Sequence, residues 1–309
     1  MATSGGRVSD LSRAHDNVIA RRSNRTSEDV LSRPALKRPR GLRRERVLNL
    51  RGDDAEAAAN LLRLRVRSVK ALSIYVALTA LTLAVFALWP GIDLTVAHVF
   101  YREGSFEGEG LPAQLLRRFF SDTPFVVLAA YAGLWLARRK GWSVRWAPSG
   151  KAVIFLIATM IAGPGLIVNL GLKDHWHRPR PYQTQDFKGP NEFRPWYETD
   201  GGCDKNCSFV SGEASTGFWM VAPASLLPPP VRGPAIVGAF VFGIATSILR
   251  MAFGGHYLSD VILGGLVTLI VVEIARKLIW PRGMPPDEEA QVSDRQKQAR
   301  ASRPSTARS

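Results

Sequence analysis

Lys173 and Arg180 stand seven positions apart in KDHWHRPRP, and Arg250, His256 and Asp260 follow in LRMAFGGHYLSD with five and then three residues between them. Three cations, an imidazole and a carboxylate suit a phosphoryl group, because arginine grips phosphate oxygens through two parallel donors. On a helix, His256 and Asp260 share one face. An aspartate there is expected to hold one imidazole nitrogen protonated and leave the other free to attack phosphorus. Between the two groups lies CSFVSGEAS, residues 207–215, ahead of a strongly apolar run. The amides of Ser211 and Gly212 are expected to be the unsatisfied donors that open a helix, a natural anion site, and Gly212 lets the backbone approach closely. Glu213 is then a lone carboxylate at the edge of hydrocarbon, which costs free energy unless it serves a charged ligand.

Each feature alone has an ordinary explanation. Cations at helix ends anchor a protein at a membrane interface. A His–Asp pair four apart is often structural, and Asp174, His175 and His177 are half of a metal-ligand set. What joins them is topology. Six apolar stretches read as spanning helices of about 20 residues: 71–89, 119–137, 152–172, 214–229, 235–250 and 257–275. Gly163-Pro164-Gly165 is expected to kink the third. Residues 111–120, with Leu111, Leu115, Leu116, Phe119 and Phe120 on one stripe, are expected to lie along the interface.

Lys and Arg gather in RLRVRSVK, ARRKGWSVRWAPSGK and RKLIWPR, which fall on one side of a six-span bundle; that side is assigned to the cytoplasm. The loops 90–118, 173–213 and 250–256 then face outward, and the charged groups at the ends of spans three to six converge at one membrane face. Cys203 and Cys207 sit in the longest outward loop, where an oxidising periplasm favours a disulfide; a free thiol pair is the alternative, and spacing alone leaves room for a metal. The fold expected is all-α: a polytopic six-helix bundle over 71–275 with basic tails at 1–70 and 276–309.

The tails hold much of the positive charge. Residues 1–70 carry 17 Lys and Arg against 8 Asp and Glu, whereas 276–309 carry 8 against 4, which leaves the middle nearly neutral. RPALKRPRGLRRER has no interleaved aromatics and no nucleic-acid fold signature, so no nucleic-acid partner is expected. Disordered cytoplasmic tails drawn to anionic lipid fit the composition better. The first apolar run begins some seventy residues in, so no signal peptide is expected.

KDHWHRPRP, SFVSGEA and LRMAFGGHYLSD, in this order on a membrane protein, resemble the three-part signature of the type-2 phosphatidic acid phosphatase superfamily, over about 71–275. The resemblance implies a six-helix lipid phosphatase that needs no metal or other cofactor. His256 would be the nucleophile that forms a phosphohistidine and Asp260 its orienting partner. Lys173, Arg180, Ser211, Gly212 and Arg250 would hold the phosphate oxygens. Two positions depart from the family pattern. Leu249 replaces a serine, and Val210-Ser211-Gly212-Glu213 replaces Pro-Ser-Gly-His, which puts Glu213 where the family has its general acid. A protonated carboxyl can do that work; the alternative is a structural acceptor. Implied substrates are lipid A phosphates, undecaprenyl pyrophosphate, phosphatidylglycerol phosphate and phosphatidic acid, in the periplasmic leaflet of a bacterial inner membrane. IDLTVAHVFYREGSF and the SGE variant are similar to lipid A phosphatase-like members. Phosphotransfer to another acceptor, a transporter and a non-catalytic adaptor are the competing functions.

Overall fold

The computed structural model describes residues 70–142, 144 and 147–281. The basic tails, 1–69 and 282–309, on which the expectations of disorder and lipid attraction fall, lie outside the described residues.

Among the described residues, five helices are long and apolar enough to cross a membrane: α1 (Lys70–Leu88), α3 (Leu111–Arg139), α4 (Gly150–Leu172), α7 (Pro229–Ala252) and α8 (Leu258–Ile279). The protein is a multi-pass membrane protein. Leucine, valine and phenylalanine on its outer faces, such as Leu81, Leu115, Phe125 and Val237, are exposed in the isolated chain and suit contact with lipid. In α1 the hydroxyls of Thr79 and Thr82 donate back to the carbonyls of Tyr75 and Leu78, so neither meets hydrocarbon unpaired.

Two expectations need correction. The fourth stretch is no simple span: it folds as two short helices in series, α5 (Gly212–Trp219) and α6 (Val221–Ser225), too short together to reach across a bilayer unaided. They form the interior of the bundle, with Ala214, Trp219 and Ala222 fully buried. Small residues make that burial fit. A Cβ on Gly243 or Gly265 would meet the Phe218 ring at 2.8 or 2.5 Å, so α7 and α8 close on α5 only because these positions are glycine. Polar side chains pair across the same contacts: Trp219 Nε1 donates to Thr159 Oγ1 at 2.9 Å, and Ser215 bonds Thr268 at 2.5 Å.

Residues 111–120 do not form a separate interfacial element. They are the first turns of α3, one unbroken helix of 29 residues that carries Pro124 in its interior. Gly163-Pro164-Gly165 lies where the α winding of the third span gives way. From Ile161 to Leu172 the helix widens into π winding, a form that recurs at functional sites. Within this wider turn the Pro164 carbonyl accepts from Asn169 Nδ2 at 2.8 Å.

The segment between α1 and α3 holds α2 (Gly91–Val99) and a small hairpin, β1 (Tyr101–Arg102) with β2 (Ser105–Phe106). Its two-residue turn, Glu103-Gly104, has positive φ at both positions, as such turns require. Ala97, Phe106, Phe187 and Tyr257 pack together and fasten this segment to the long loop before α5 and to the start of α8.

Candidate active site

The start of α8 sets the geometry. Asp260, in its first turn, accepts from the Tyr257 backbone N–H at 2.9 Å, and this carboxylate cap turns the chain into the helix. The same carboxylate accepts from Ser208 Oγ at 2.5 Å and from Arg178 Nη1 at 2.6 Å. Arg178 also donates to Asp93 Oδ2 at 2.8 Å and, through Nε, to the Arg194 carbonyl at 2.8 Å. Asp93 in turn accepts from the Ser259 amide at 2.9 Å and hydroxyl at 2.6 Å. The guanidinium of Arg178 lies 4.4 Å from the centre of the Tyr257 ring. All three ionised side chains are fully or almost fully buried. Burial opposes the charge on Arg178, but Asp260 and Asp93 more than offset it and hold the guanidinium above its ordinary range.

This polar knot holds the imidazole. His256 Nδ1 lies 2.7 Å from the Ser208 carbonyl oxygen and 3.8 Å from Asp260 Oδ2. A carbonyl only accepts, so Nδ1 carries the proton and Nε2 keeps its lone pair. The expectation that Asp260 binds the ring directly is therefore corrected: a backbone carbonyl fixes the tautomer, and Asp260 positions Ser208. Burial, helped by Arg250 and Arg180 and opposed by Asp260, pushes the His256 pKa down to about 3, so the ring is neutral at physiological pH.

Three cations come from separate places. Lys173 follows the last turn of α4; burial and then the charges of Arg180 and Arg250 pull its pKa down to about 8. Arg180 is held by Asn206, which accepts from Nε at 3.1 Å and Nη2 at 2.8 Å through its backbone carbonyl and from Nη2 at 2.9 Å through its side chain. Arg250, near the end of α7, is buried, and among the described residues its Nε makes no hydrogen bond, with the Glu213 carboxylate 3.5 Å away as an ion-pair partner. Gly255 makes room for it, since a Cβ there would stand 2.3 Å from Arg250 Nη2.

At the head of α5 the picture is mixed. The Ser211 amide is not a free anion donor as expected; it donates to the Asp260 carbonyl at 3.0 Å, while Ser211 Oγ accepts from the Ala214 amide at 3.3 Å and caps the helix. Gly212 occupies the first helical position, where the N–H has no carbonyl within the helix to bond. A Cβ at Gly212 would lie 2.6 Å from Asn169 Oδ1, so the π-wound end of α4 and the head of α5 close together through this glycine.

Glu213 is not a lone carboxylate. Arg117, from α3, donates to it from Nη2 at 2.6 Å and from Nε at 3.2 Å, and Ser121 Oγ adds a bond at 3.1 Å. Arg250 Nε approaches the same carboxylate at 3.5 Å. Two guanidinium groups and a hydroxyl converge on it, the surroundings of an acceptor.

Cys203 and Cys207 are joined in a disulfide that closes the loop carrying Asn206. His175 and His177 turn Nδ1 toward the carbonyls of Gly171 at 3.0 Å and Cys203 at 2.7 Å. Among the described residues no three His, Cys, Asp or Glu side chains gather as a metal site.

Sequence reasoning missed Arg117, Arg178, Asp93, Ser208 and Asn206. Arg178 sat in view inside KDHWHRPRP, and Asp93 was the one acid in an otherwise apolar IDLTVAHVF. An isolated charge among apolar residues predicts a buried partner, and that signal could have paired them.

The family described as PAP2 superfamily matches residues 151–284. The chain is similar to the lipid A 4'-phosphatase of Francisella tularensis subsp. novicida (strain U112), 33% identical over 204 residues that cover 63% of this chain and 89% of that protein. It is also similar to the lipid A 4'-phosphatase of Rhizobium leguminosarum, 36% identical over 208 residues that cover 61% of this chain and 88% of the relative. No solved structure matches. With the matched segment running from α4 through α8 and holding Lys173, Arg180, Arg250 and His256, the chain belongs to the PAP2 superfamily, as a multi-pass membrane phosphatase that hydrolyses lipid phosphates.

Proposed function

We propose that the protein removes a phosphate from the sugar head group of a lipid A-type lipid at the periplasmic face of a bacterial inner membrane, through a phosphohistidine on His256. The observation that carries this reading is the neutral His256, tautomer fixed by the Ser208 carbonyl, within electrostatic reach of Arg180 and Arg250. Two relatives named lipid A 4'-phosphatase, each spanned over most of its length, favour the sugar-bearing lipid over the other substrates.

In this scheme Lys173, Arg180, Arg250 and the Gly212 amide bind the phosphate oxygens, and their charge meets the charge that builds up during transfer. The Nε2 lone pair forms the P–N bond as the bond from phosphorus to the lipid oxygen breaks. The departing oxygen takes a proton from water. A second water then attacks phosphorus, the P–N bond breaks, and inorganic phosphate leaves with the imidazole neutral again. Glu213 serves as the acceptor that anchors Arg117 and Arg250. The membrane domain spans 71–275; the basic tails lie in the cytoplasm against anionic lipid.

The test is phosphate release in detergent from lipid A, undecaprenyl pyrophosphate, phosphatidylglycerol phosphate and phosphatidic acid, with His256→Ala alongside. The expected result is preferred release from lipid A, lost in the variant, with an acid-labile, base-stable phosphoprotein trapped on rapid quenching. Full activity of His256→Ala would overturn the nucleophile. Release only from a lipid without a sugar would overturn the substrate.

A further inference from the structure

One face of α3 is out of place on a membrane helix. Gln114, Arg117, Arg118, Ser121 and Asp122 recur at spacings of three and four and so form a polar stripe. Leu111, Leu115, Leu116 and Phe119 of the same turns are exposed apolar residues suited to lipid. At 29 residues α3 is about 43 Å long against a hydrocarbon core of about 30 Å, so these first turns reach the head-group region.

The same five side chains, with Phe253, line a cavity of about 420 Å³. Two of its charged residues, Arg118 and Asp122, form no hydrogen bond or ion pair among the described residues. The cavity adjoins the candidate active site through Phe253, whose ring centre is 5.5 Å from the Arg117 guanidinium and 5.9 Å from that of Arg250. Phe253 has little freedom, since a Cβ on Gly108 would stand 2.5 Å from its ring.

We propose that this cavity is the subsite for the saccharide ring that carries the scissile phosphate; the inference rests on the lipid A-type reading above. The lining chemistry is that of a sugar site. Arginine and glutamine donate to hydroxyls, aspartate and serine accept from them, and Phe253 in the lining adds apolar surface for the C–H groups of a pyranose. A glycerol phosphate head has neither the ring nor the array of hydroxyls to use these groups. The cavity lies on the Arg250 side of the site, so a ring seated there holds its phosphate toward the cations.

The experiment compares kcat/KM on lipid A and on phosphatidic acid in the same mixed micelles, for wild-type protein, Arg118→Ala and Asp122→Asn. The ratio of the two values is expected to fall at least tenfold in each variant, chiefly through KM on lipid A. A ratio unchanged in both variants overturns the subsite while the lipid A reading stands. Wild-type protein that cleaves phosphatidic acid but not lipid A overturns both. Binding of dephosphorylated lipid A to His256→Ala protein, with and without Arg118→Ala, supplies a readout free of turnover: a tenfold loss of affinity is expected, and equal affinity overturns the assignment.

Discussion

The Nδ1 nitrogen of His256 lies 2.7 Å from the backbone carbonyl oxygen of Ser208. A carbonyl cannot be mutated away, so the tautomer that leaves Nε2 free does not depend on Asp260. What Asp260 supplies is the position of Ser208, through the 2.5 Å bond to its hydroxyl, and a negative charge 3.8 Å from the ring. Where a carboxylate itself holds the ring proton, as in serine proteases, its amide variant loses about 10⁴-fold in kcat because the wrong tautomer forms. Asp260→Asn is therefore expected to lose less, about 10²-fold, because the imidazole keeps its tautomer and loses only the charge. Steady-state kinetics checks this, and a loss of 10⁴-fold would show that the carboxylate meets the ring during turnover.

Arg178 bridges two buried carboxylates, Asp93 at 2.8 Å and Asp260 at 2.6 Å, and thereby ties α2 to α8. Removing one member of such a group leaves charge buried without compensation, at a cost of about 3–5 kcal/mol. Arg178→Met should therefore lower thermal stability sharply, and Arg178→Lys should restore little of it, since an ammonium lacks the fork that reaches both carboxylates. The double change Asp93→Asn with Arg178→Met should be less harmful than the sum of the single changes. Thermal unfolding in detergent of wild type, Asp93→Asn, Arg178→Met and the double variant measures the coupling, and strict additivity would contradict it.

Lys173 gives the site its pH dependence. Its pKa is pulled down to about 8 by burial and by Arg180 and Arg250, so the free enzyme loses a phosphate-binding cation as pH rises through that value. The ratio kcat/KM should thus fall on the alkaline side with an apparent pKa near 8. Bound phosphate favours the charged amine, so the corresponding fall in kcat should come at higher pH. For stability the sign is opposite to the usual lysine. The folded pKa is depressed, so the unfolded chain binds more protons between about 8 and the ordinary 10.5, and this group adds stability as pH rises across that window. His256, with a pKa near 3, should contribute no acid limb above pH 5. Profiles of wild type and Lys173→Met test both statements; an alkaline limb that survives in Lys173→Met belongs to another group.

Glu213→Gln separates two roles for one carboxyl. As a proton donor it would lose its place in the pH profile with the substitution. As an acceptor it anchors Arg117 through a 2.6 Å bond and steadies Arg250 from 3.5 Å. The acceptor role predicts about a tenfold fall in kcat/KM, the loss of roughly one charge-assisted bond, with the alkaline limb of Lys173 kept but moved to lower pH, because the Glu213 charge helps hold that amine protonated. Disappearance of the alkaline limb would restore the proton-donor role.

The sequence showed what is periodic or charged. Long apolar runs in α1, α4, α7 and α8 announced themselves, and so did Lys173, Arg180, Arg250 and His256, because a charge at a helix end in an apolar chain stands out. What it hid depends on tertiary packing. Nothing local marks α5 and α6 as short buried helices, since their apolar residues read like lipid-facing ones; only the glycines of α7 and α8 that admit the Phe218 ring reveal the difference. Arg117 lies 96 residues from Glu213, and Ser208 acts on His256 through a backbone carbonyl that any residue type would supply. No side-chain pattern encodes that contact.

The loop between Cys203 and Cys207 carries the residue that holds Arg180. Arg180 donates three hydrogen bonds to Asn206, a residue in left-handed backbone at φ 55°, within the loop that the disulfide closes. An arginine held so firmly has little entropy left to lose when phosphate arrives, which favours binding. Opening the disulfide lets Asn206 move and leaves Arg180 with freedom that substrate must then remove. The hydrogen bonds at stake each contribute about 1.5–3 kcal/mol when fully formed to a charged group, and a loosened loop forfeits part of this. Cys203→Ser with Cys207→Ser, or wild type treated with a membrane-permeant reductant, should raise KM about tenfold and leave kcat within about threefold, because His256 and its Ser208 contact lie outside the closed loop. Asn206→Ala should reproduce the KM effect and make the enzyme indifferent to reductant. A drop in kcat with unchanged KM would mean that the loop supports the imidazole and not the cation.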